Sequence, residues 1–376
     1  MPGSQWKTGI LPSTSSAIGW LEERLVPAAR RLPAPSAYLA HVDAAAADAT
    51  LIRLASNENS EPPSPRVRAA LEAVYREAHL YPPTVPPLRA ALARRLGVAP
   101  ASVLLGAGST ELIEATLRAF VRAGDEVVVP LPSWPVLRIR LAALDARVVD
   151  VPLADEGDSF AYDVDALFAA VTARTKIIVL CSPNNPTGNS LDLDDLRRCA
   201  DAGPPLLVDA AYADFDEEHD ASRLVRESNR IVVTRTFSKA YALAGLRVGY
   251  AIGDAELLDY VGRFLVPGSS VSVAALRAAL AALEDEGYVR CQIERVRAER
   301  ERLVPALRAL GLRTFASDAN FVAVEPSSVG RTPTQLTVAL RERGVLIRPM
   351  DERLARITVG DAEENATLLA ALAAII

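Results

Sequence analysis

Short apolar runs bounded by turn residues recur along the chain from about residue 100: SVLLGAG, DEVVVPLP, KIIVLCSP, PLLVDAA, RIVVTRT and VGYAIG. Val, Ile and Leu follow one another in these runs without strict polar alternation, as in strands covered on both faces, and helical spacing fills the intervals. The pattern predicts an α/β fold with a mainly parallel sheet. After about residue 270 long Ala, Leu and Arg helical segments lead into NFVAVEP, GVLIRPM and ARITVG, a shorter α+β section. Before residue 55 the chain is rich in Pro, Ala and Arg and ends in the polar ASNENSEPPSP. The predicted organisation is an N-terminal arm over 1–55 that joins a small domain, a large domain over 56–270 and the small domain proper over 271–376.

A length of 376 residues fits this division. No run approaches the ~20 apolar residues of a membrane span, and MPGSQWKTGILPSTSS lacks a basic segment followed by an apolar one, so a soluble, cytoplasmic protein is expected. A net charge of −6, with acids and bases mixed, offers no basic stripe for nucleic acid. The cysteines (Cys181, Cys199, Cys291) and histidines (His41, His79, His219) are scattered without CxxC or HxxxH spacing, so neither a disulfide framework nor a zinc site is indicated. Demanding chemistry in such a chain needs an organic cofactor.

Ligands of open α/β sheets gather at the carboxyl ends of strands, and several polar stretches follow apolar runs here. LLGAGSTELI reads as a strand, a glycine-rich turn and a helix opening near Ser109, whose free N–H groups make an anion site unless the turn is only a turn. CSPNNPTG follows the next strand but one; its prolines fix the loop and an asparagine amide can meet a ligand oxygen, against an ordinary strand-ending turn. In LLVDAAYADF, Asp209 ends an apolar strand, where a carboxylate needs a cation such as a protonated ring nitrogen, unless it merely caps a helix. Lys239, in TRTFSKAYALAGLRVGY, is notable in a chain whose only other lysines are Lys7 and Lys176. Arginine replaces lysine as a charge but cannot form an imine with an aldehyde, so a retained lysine is a candidate for that chemistry. Arg247, with Ser109, Thr236 and Ser238, completes a candidate phosphate cup.

In order along the chain, SNEN, YPP..PPLR, GAGSTELI, CSPNNPTG, VDAAY, TFSKAYALAGLRVGY, NFV and ARITVG resemble the fold-type I aminotransferases that use pyridoxal phosphate (PLP), most closely the histidinol-phosphate aminotransferase group. The resemblance runs from about Leu54 to the C-terminus, and SPNNPTG and SKAYALAGLR are its most specific parts. It implies a large domain with a mainly parallel seven-stranded sheet between helices, beside a smaller α+β domain. It also implies that Lys239 bonds the cofactor's aldehyde and then carries a proton between substrate and cofactor, while Asp209 pairs with the ring nitrogen. Asn185 and Tyr212 would bond the ring's phenolic oxygen. Gly108, Ser109, Thr110, Thr236, Ser238 and Arg247 would hold the phosphate, with Tyr81 reaching into the neighbouring subunit of a homodimer. Trp134 would stack on the ring. Arg356 would clamp the substrate carboxylate, and Arg348 and Asn57 would complete the substrate wall.

Three departures bear on substrate. The family usually has D-E-A-Y where this chain has Asp209, Ala210, Ala211 and Tyr212. Trp134 stands where a tyrosine is usual, and the N-terminal Pro-Tyr has no clear counterpart, Tyr38 being a poor positional match. The resemblance therefore implies an aminotransferase with glutamate as donor and a keto or aldehyde acceptor. Alternatives on the same fold are a PLP-dependent decarboxylase, an oxygen-dependent oxidase, and a non-catalytic PLP-binding sensor, for which the arm lacks a helix-turn-helix pattern.

Overall fold

A computed structural model describes residues 26, 28, 32, 33, 47–84, 86–266 and 270–376. Most of the expected N-terminal arm, including Tyr38, lies outside the described residues. In chain order, β1 (Ile52–Arg53), β2 (Val103–Gly106), β3 (Glu126–Leu131) and β4 (Arg147–Pro152) are followed by a small hairpin, β5 (Ala154–Asp155) and β6 (Phe160–Ala161). Then come β7 (Thr175–Cys181), β8 (Leu206–Asp209), β9 (Ile231–Thr236) and β10 (Gly249–Gly253).

These strands build a seven-stranded sheet in the order β2-β10-β9-β8-β7-β3-β4. All neighbours run parallel except β10, which is antiparallel to both β2 and β9. The absence of polar alternation has the predicted cause. On β7, Ile177 and Val179 join an apolar cluster with Leu112, Ile113 and Leu117 of the helix Ser109–Phe120, while Ile178 and Leu180 join Leu196 of the helix Leu193–Asp201 on the other face. Each such side chain contributes about 1.5–3 kcal/mol by leaving water. The one strand of this seven-stranded sheet that the apolar runs did not predict is β4, an edge strand paired only to β3 and interrupted by the solvent-facing Arg147, Asp150 and Pro152.

A second sheet contains β11 (Arg313–Thr314), β12 (Phe321–Glu325), β14 (Arg348–Pro349) and β15 (Ala355–Thr358), antiparallel in the order β11-β12-β15-β14. Between them in the chain, β13 (Val345–Leu346) pairs in parallel with β1, so residues 52–54 belong with the C-terminal section. We propose domain limits near residues 55 and 271 on these pairings. The helix Val273–Leu283, just beyond the second limit, packs on the helices Pro65–Ala73 and Pro87–Leu96 and joins the two parts.

The β5–β6 hairpin reaches from the large sheet to the small one. Asp155 and Glu325 each bond both Arg313 and Arg353, with Arg313 to Asp155 at 2.6 Å and Arg313 to Glu325 at 2.8 Å. Phe160 and Phe315 pack beside this ionic square with ring centres 4.6 Å apart.

At the carboxyl ends of the large sheet the antiparallel strand has a second effect. Gly249 opens β10 between Gly106, at the end of β2, and Thr236, at the end of β9. A methyl group on Gly249 would stand 2.7 Å from Arg235 O, Gly108 C and Ser109 N, so the end of β9 and the turn at Gly108 close on it only because it is glycine.

Candidate active site

A cavity of about 290 Å3 lies where these strand ends face the small sheet. One wall is anionic in its preference. Gly108, at φ 81, precedes the helix Ser109–Phe120, and Glu111 of its first turn accepts from the N–H of Ala107 at 2.7 Å, fixing the turn. Ser109 and Thr110 present the helix N-terminus to the cavity. From the β9 side, Thr236 Oγ1 donates to Ser238 Oγ at 2.9 Å, and Arg247 Nη1 reaches Ser238 Oγ at 3.3 Å. A side-chain carbon at Gly108 would lie 2.5 Å from Arg247 Nη2. Backbone N–H groups, hydroxyls and a guanidinium therefore converge here, the guanidinium in the room that the missing Cβ of Gly108 leaves it.

The floor comes from β8. Asp209 ends that strand beside Cys181 and Thr234, its carboxylate near Thr234 Oγ1 at 3.4 Å. Burial pushes its pKa up to about 6, with Thr234, the N–H of Ala211 and Lys239 opposing. No helix starts there for it to cap, so the carboxylate is set for a cation inside the cavity. Lys239 follows β9, and its Nζ donates to Ser56 O at 2.9 Å. Desolvation first, then Arg356, lowers its pKa to about 7, against Glu58 and Asp209, which raise it.

The opposite wall belongs to the small sheet and residues 55–58. Arg356, on β15, is buried and donates to Asn185 Oδ1 and Ala55 O, both at 2.7 Å. Arg348 stands in register with it on β14 and also lines the cavity. Asn185 Nδ2 donates to Tyr212 Oη at 3.2 Å, and Asn57 Nδ2 donates to the same oxygen at 2.9 Å. Burial holds the Tyr212 hydroxyl well above the ordinary phenol range. Trp134 completes the lining.

The expected residues thus meet around one space, with three qualifications. Tyr81 does not line it and is 96% exposed on the described chain. Gly108 backs the anion wall rather than facing the cavity. Asn57, expected in the substrate wall, spends its amide inside the protein, on Tyr212 and Thr358. Sequence reasoning missed Ser56 and Glu58, which also line the cavity. Both sit in the SNEN motif beside Asn57, so the motif held the signal.

The family model described as "Aminotransferase class I and II" matches residues 49–372. The chain belongs to the class I and II aminotransferases. Curated relatives include histidinol-phosphate aminotransferase 2 of Caulobacter vibrioides, 40% identical over 331 residues covering 86% of this chain and 85% of that one. An aromatic amino acid aminotransferase of Rhodococcus opacus is also 40% identical, over 85% of this chain and 88% of that one. Among solved structures, the histidinol-phosphate aminotransferase of Sinorhizobium meliloti in complex with pyridoxal 5′-phosphate is 28% identical, covers 94% of this chain and 97% of that one, and has a TM-score of 0.80. The aminotransferase's cavity fits the cofactor implied by the sequence resemblance: an anion wall, a buried carboxylate for a ring cation, and a deprotonatable lysine for an aldehyde. Among the described residues no helix is long and apolar enough to cross a membrane.

Proposed function

We propose that this aminotransferase uses pyridoxal phosphate to move the amino group of glutamate to a keto or aldehyde acceptor that carries a flat ring and an anionic group. The observation that carries the reading is the pairing of Arg348 opposite Arg356, two guanidiniums on adjacent strands that both line the cavity with Lys239. Arg356 takes the donor's α-carboxylate in a two-pronged pair, and Arg348 meets the second anion of either partner. Trp134 would offer its indole face to the cofactor's ring. Relatives named for histidinol phosphate and for aromatic amino acids support such a partner.

When bound, the cofactor supplies an electron sink for the pair left when the substrate's Cα–H bond breaks. The chain's residues do the rest. Gly108, Ser109, Thr110, Thr236, Ser238 and Arg247 would hold the phosphate, and Asp209 would keep the ring nitrogen protonated. Asn185 and Tyr212 would hold the ring oxygen. Lys239, without a carboxylate ion pair among the described residues and with its pKa lowered to about 7, would hold the cofactor through its aldehyde and would carry the proton between the substrate's Cα and the cofactor. The working unit in this reading is a cytoplasmic homodimer. The exposed Tyr81, near the exposed Tyr75 and Leu80 in sequence, supports a partner subunit there.

The test is the visible spectrum of the PLP-loaded protein under anaerobic conditions, with L-glutamate added and then 2-oxoglutarate, followed by histidinol phosphate, phenylalanine, tyrosine, aspartate and alanine in turn. Reversible loss of the cofactor band with glutamate and with the ring-bearing compounds supports the reading. A band that answers to aspartate or alanine instead removes the ring requirement. A band that no amino acid alters reversibly, with release of carbon dioxide or uptake of oxygen, replaces transamination by decarboxylation or oxidation.

A further inference from the structure

Asn57 is a non-glycine residue at φ 53, in the left-handed region, and is 1% exposed. Such backbone costs about 1–2 kcal/mol and persists where the surroundings over-determine it. Here they do. Its N–H donates to Thr358 Oγ1 at 2.9 Å, its C=O accepts from Asn320 Nδ2 at 3.1 Å, and its Oδ1 accepts from Thr358 Oγ1 at 3.1 Å.

These bonds also decide which way the amide points. A backbone N–H is only a donor, so Thr358 Oγ1 accepts there and has its own proton free to give to Oδ1. Asn57 must then turn Nδ2 to the other side, where Tyr212 Oη lies at 2.9 Å. Asn185 Nδ2 donates to the same oxygen at 3.2 Å. A phenol oxygen has two acceptor sites and one proton, and both acceptor sites are filled. The ring is held as well, edge-on to Phe321 at 5.0 Å between centres.

We propose that Asn57 is a positioning residue for the reaction: by occupying one acceptor site of Tyr212 from the small sheet, it aims the Tyr212 proton into the cavity, at the cofactor's phenolic oxygen. The inference rests on the reading that Tyr212 faces that oxygen. Its consequence is that Tyr212 acts toward the cofactor as a donor and not as an acceptor. A donor at the phenolic oxygen stabilises the bound cofactor in the form with one proton fewer, so weakening that donor raises the pH at which the visible band changes.

The experiment is an absorbance pH titration of the full-length, PLP-loaded protein for the unchanged chain, Asn57→Gly, Tyr212→Phe and the double variant. Glycine accepts φ 53 without strain, so Asn57→Gly removes the amide and keeps the backbone. The charged and ionisable groups around the hydroxyl, namely Arg356, Cys181, Asp209 and Lys239, and the Glu58 and Arg247 that act on Lys239, are the same in all four proteins. We expect Tyr212→Phe to raise the midpoint, Asn57→Gly to raise it by about 0.5–1 pH unit, the size of one ordinary hydrogen bond, and the double variant to match Tyr212→Phe alone. An unmoved midpoint in Asn57→Gly, or a shift that persists undiminished beside Tyr212→Phe, overturns the proposal. An unmoved midpoint in Tyr212→Phe overturns the underlying assignment of Tyr212 and the proposal with it, and that arm is read separately. Should Asn57→Gly not fold, Asn57→Asp keeps the size and the left-handed preference while losing the donor. Its shift should then be larger with Tyr212 present than beside Tyr212→Phe, and equal shifts count against the proposal.

Discussion

Lys239 Nζ donates to the backbone carbonyl of Ser56 at 2.9 Å, joining the end of a large-sheet strand to a segment 183 residues earlier in the chain. A carbonyl accepts a hydrogen bond from an amine in either charge state, whereas a carboxylate would have held it as ammonium. Among the described residues Lys239 has no ion pair, and its pKa falls from 10.5 to about 7.

The first prediction concerns pH. The neutral amine is the nucleophile, so reactivity grows as pH rises through the lowered pKa and levels off above it. Cofactor-free protein treated with a small uncharged aldehyde, trapped with borohydride and mapped by mass spectrometry, should label Lys239 with a midpoint near pH 7. Labelling that still climbs steeply at pH 9, as for an ordinary lysine, contradicts the reading.

Replacing the lysine removes both the covalent attachment and the proton carrier. Lys239→Ala should lower multiple-turnover activity by about 10²–10⁴-fold or more, while the protein still takes up PLP noncovalently. Steady-state kinetics beside a cofactor-binding titration separates the two effects; full turnover would be incompatible with the assignment.

The anion wall can be tested through space rather than charge. Gly108→Ala places a methyl group 2.5 Å from Arg247 Nη2 at φ 81, and should weaken PLP binding by about tenfold or more. Gly124→Ala is the control, since its φ of 83 carries the same backbone strain with nothing within 4 Å of the added carbon. Fluorescence titration with PLP should single out the Gly108 variant. Equal losses in both would trace the effect to strain alone.

The ionic square predicts acid sensitivity. Arg353 and Arg313 hold the Asp155 and Glu325 carboxyls below their ordinary values. With folded pKa values depressed, their stabilisation is present in full above the ordinary carboxylate range and is lost as pH falls below it, through the lowered folded values. Each partly exposed pair contributes about 0–1 kcal/mol. Thermal unfolding at pH 6 should therefore show a modest loss for Asp155→Asn, and the loss should shrink by pH 3.5; a deficit that stays constant with pH would mean the carboxylate charge is not its source.

Legibility in the sequence followed the range of the interaction. Lys239, Asp209 and the Ser109 turn were readable because each directly follows a strand whose composition reveals it, and function at strand ends is a property of the whole architecture. The edge strand β4 was not predicted, since Arg147 and Asp150 break its apolar run where it faces solvent. The reversal of β10 was equally invisible: VGYAIG reads the same in either direction. The contribution of Ser56 and Glu58, and the diversion of Asn57 to Tyr212, depend on segments brought together across 155 residues or more of chain, which no local pattern reports.

Gly249 carries no group that touches a substrate, yet it sets a close tolerance with backbone on both sides. The distance between the turn at Gly108–Ser109 and the last residues of β9 is set there by one hydrogen atom. The cofactor end of the cavity therefore has the character of a fixed gauge, whereas Glu58 and Arg348 line the cavity from the opposite wall. New substrate preferences can be sought by varying those two side chains, with residue 249 left untouched as the datum from which the rest is measured.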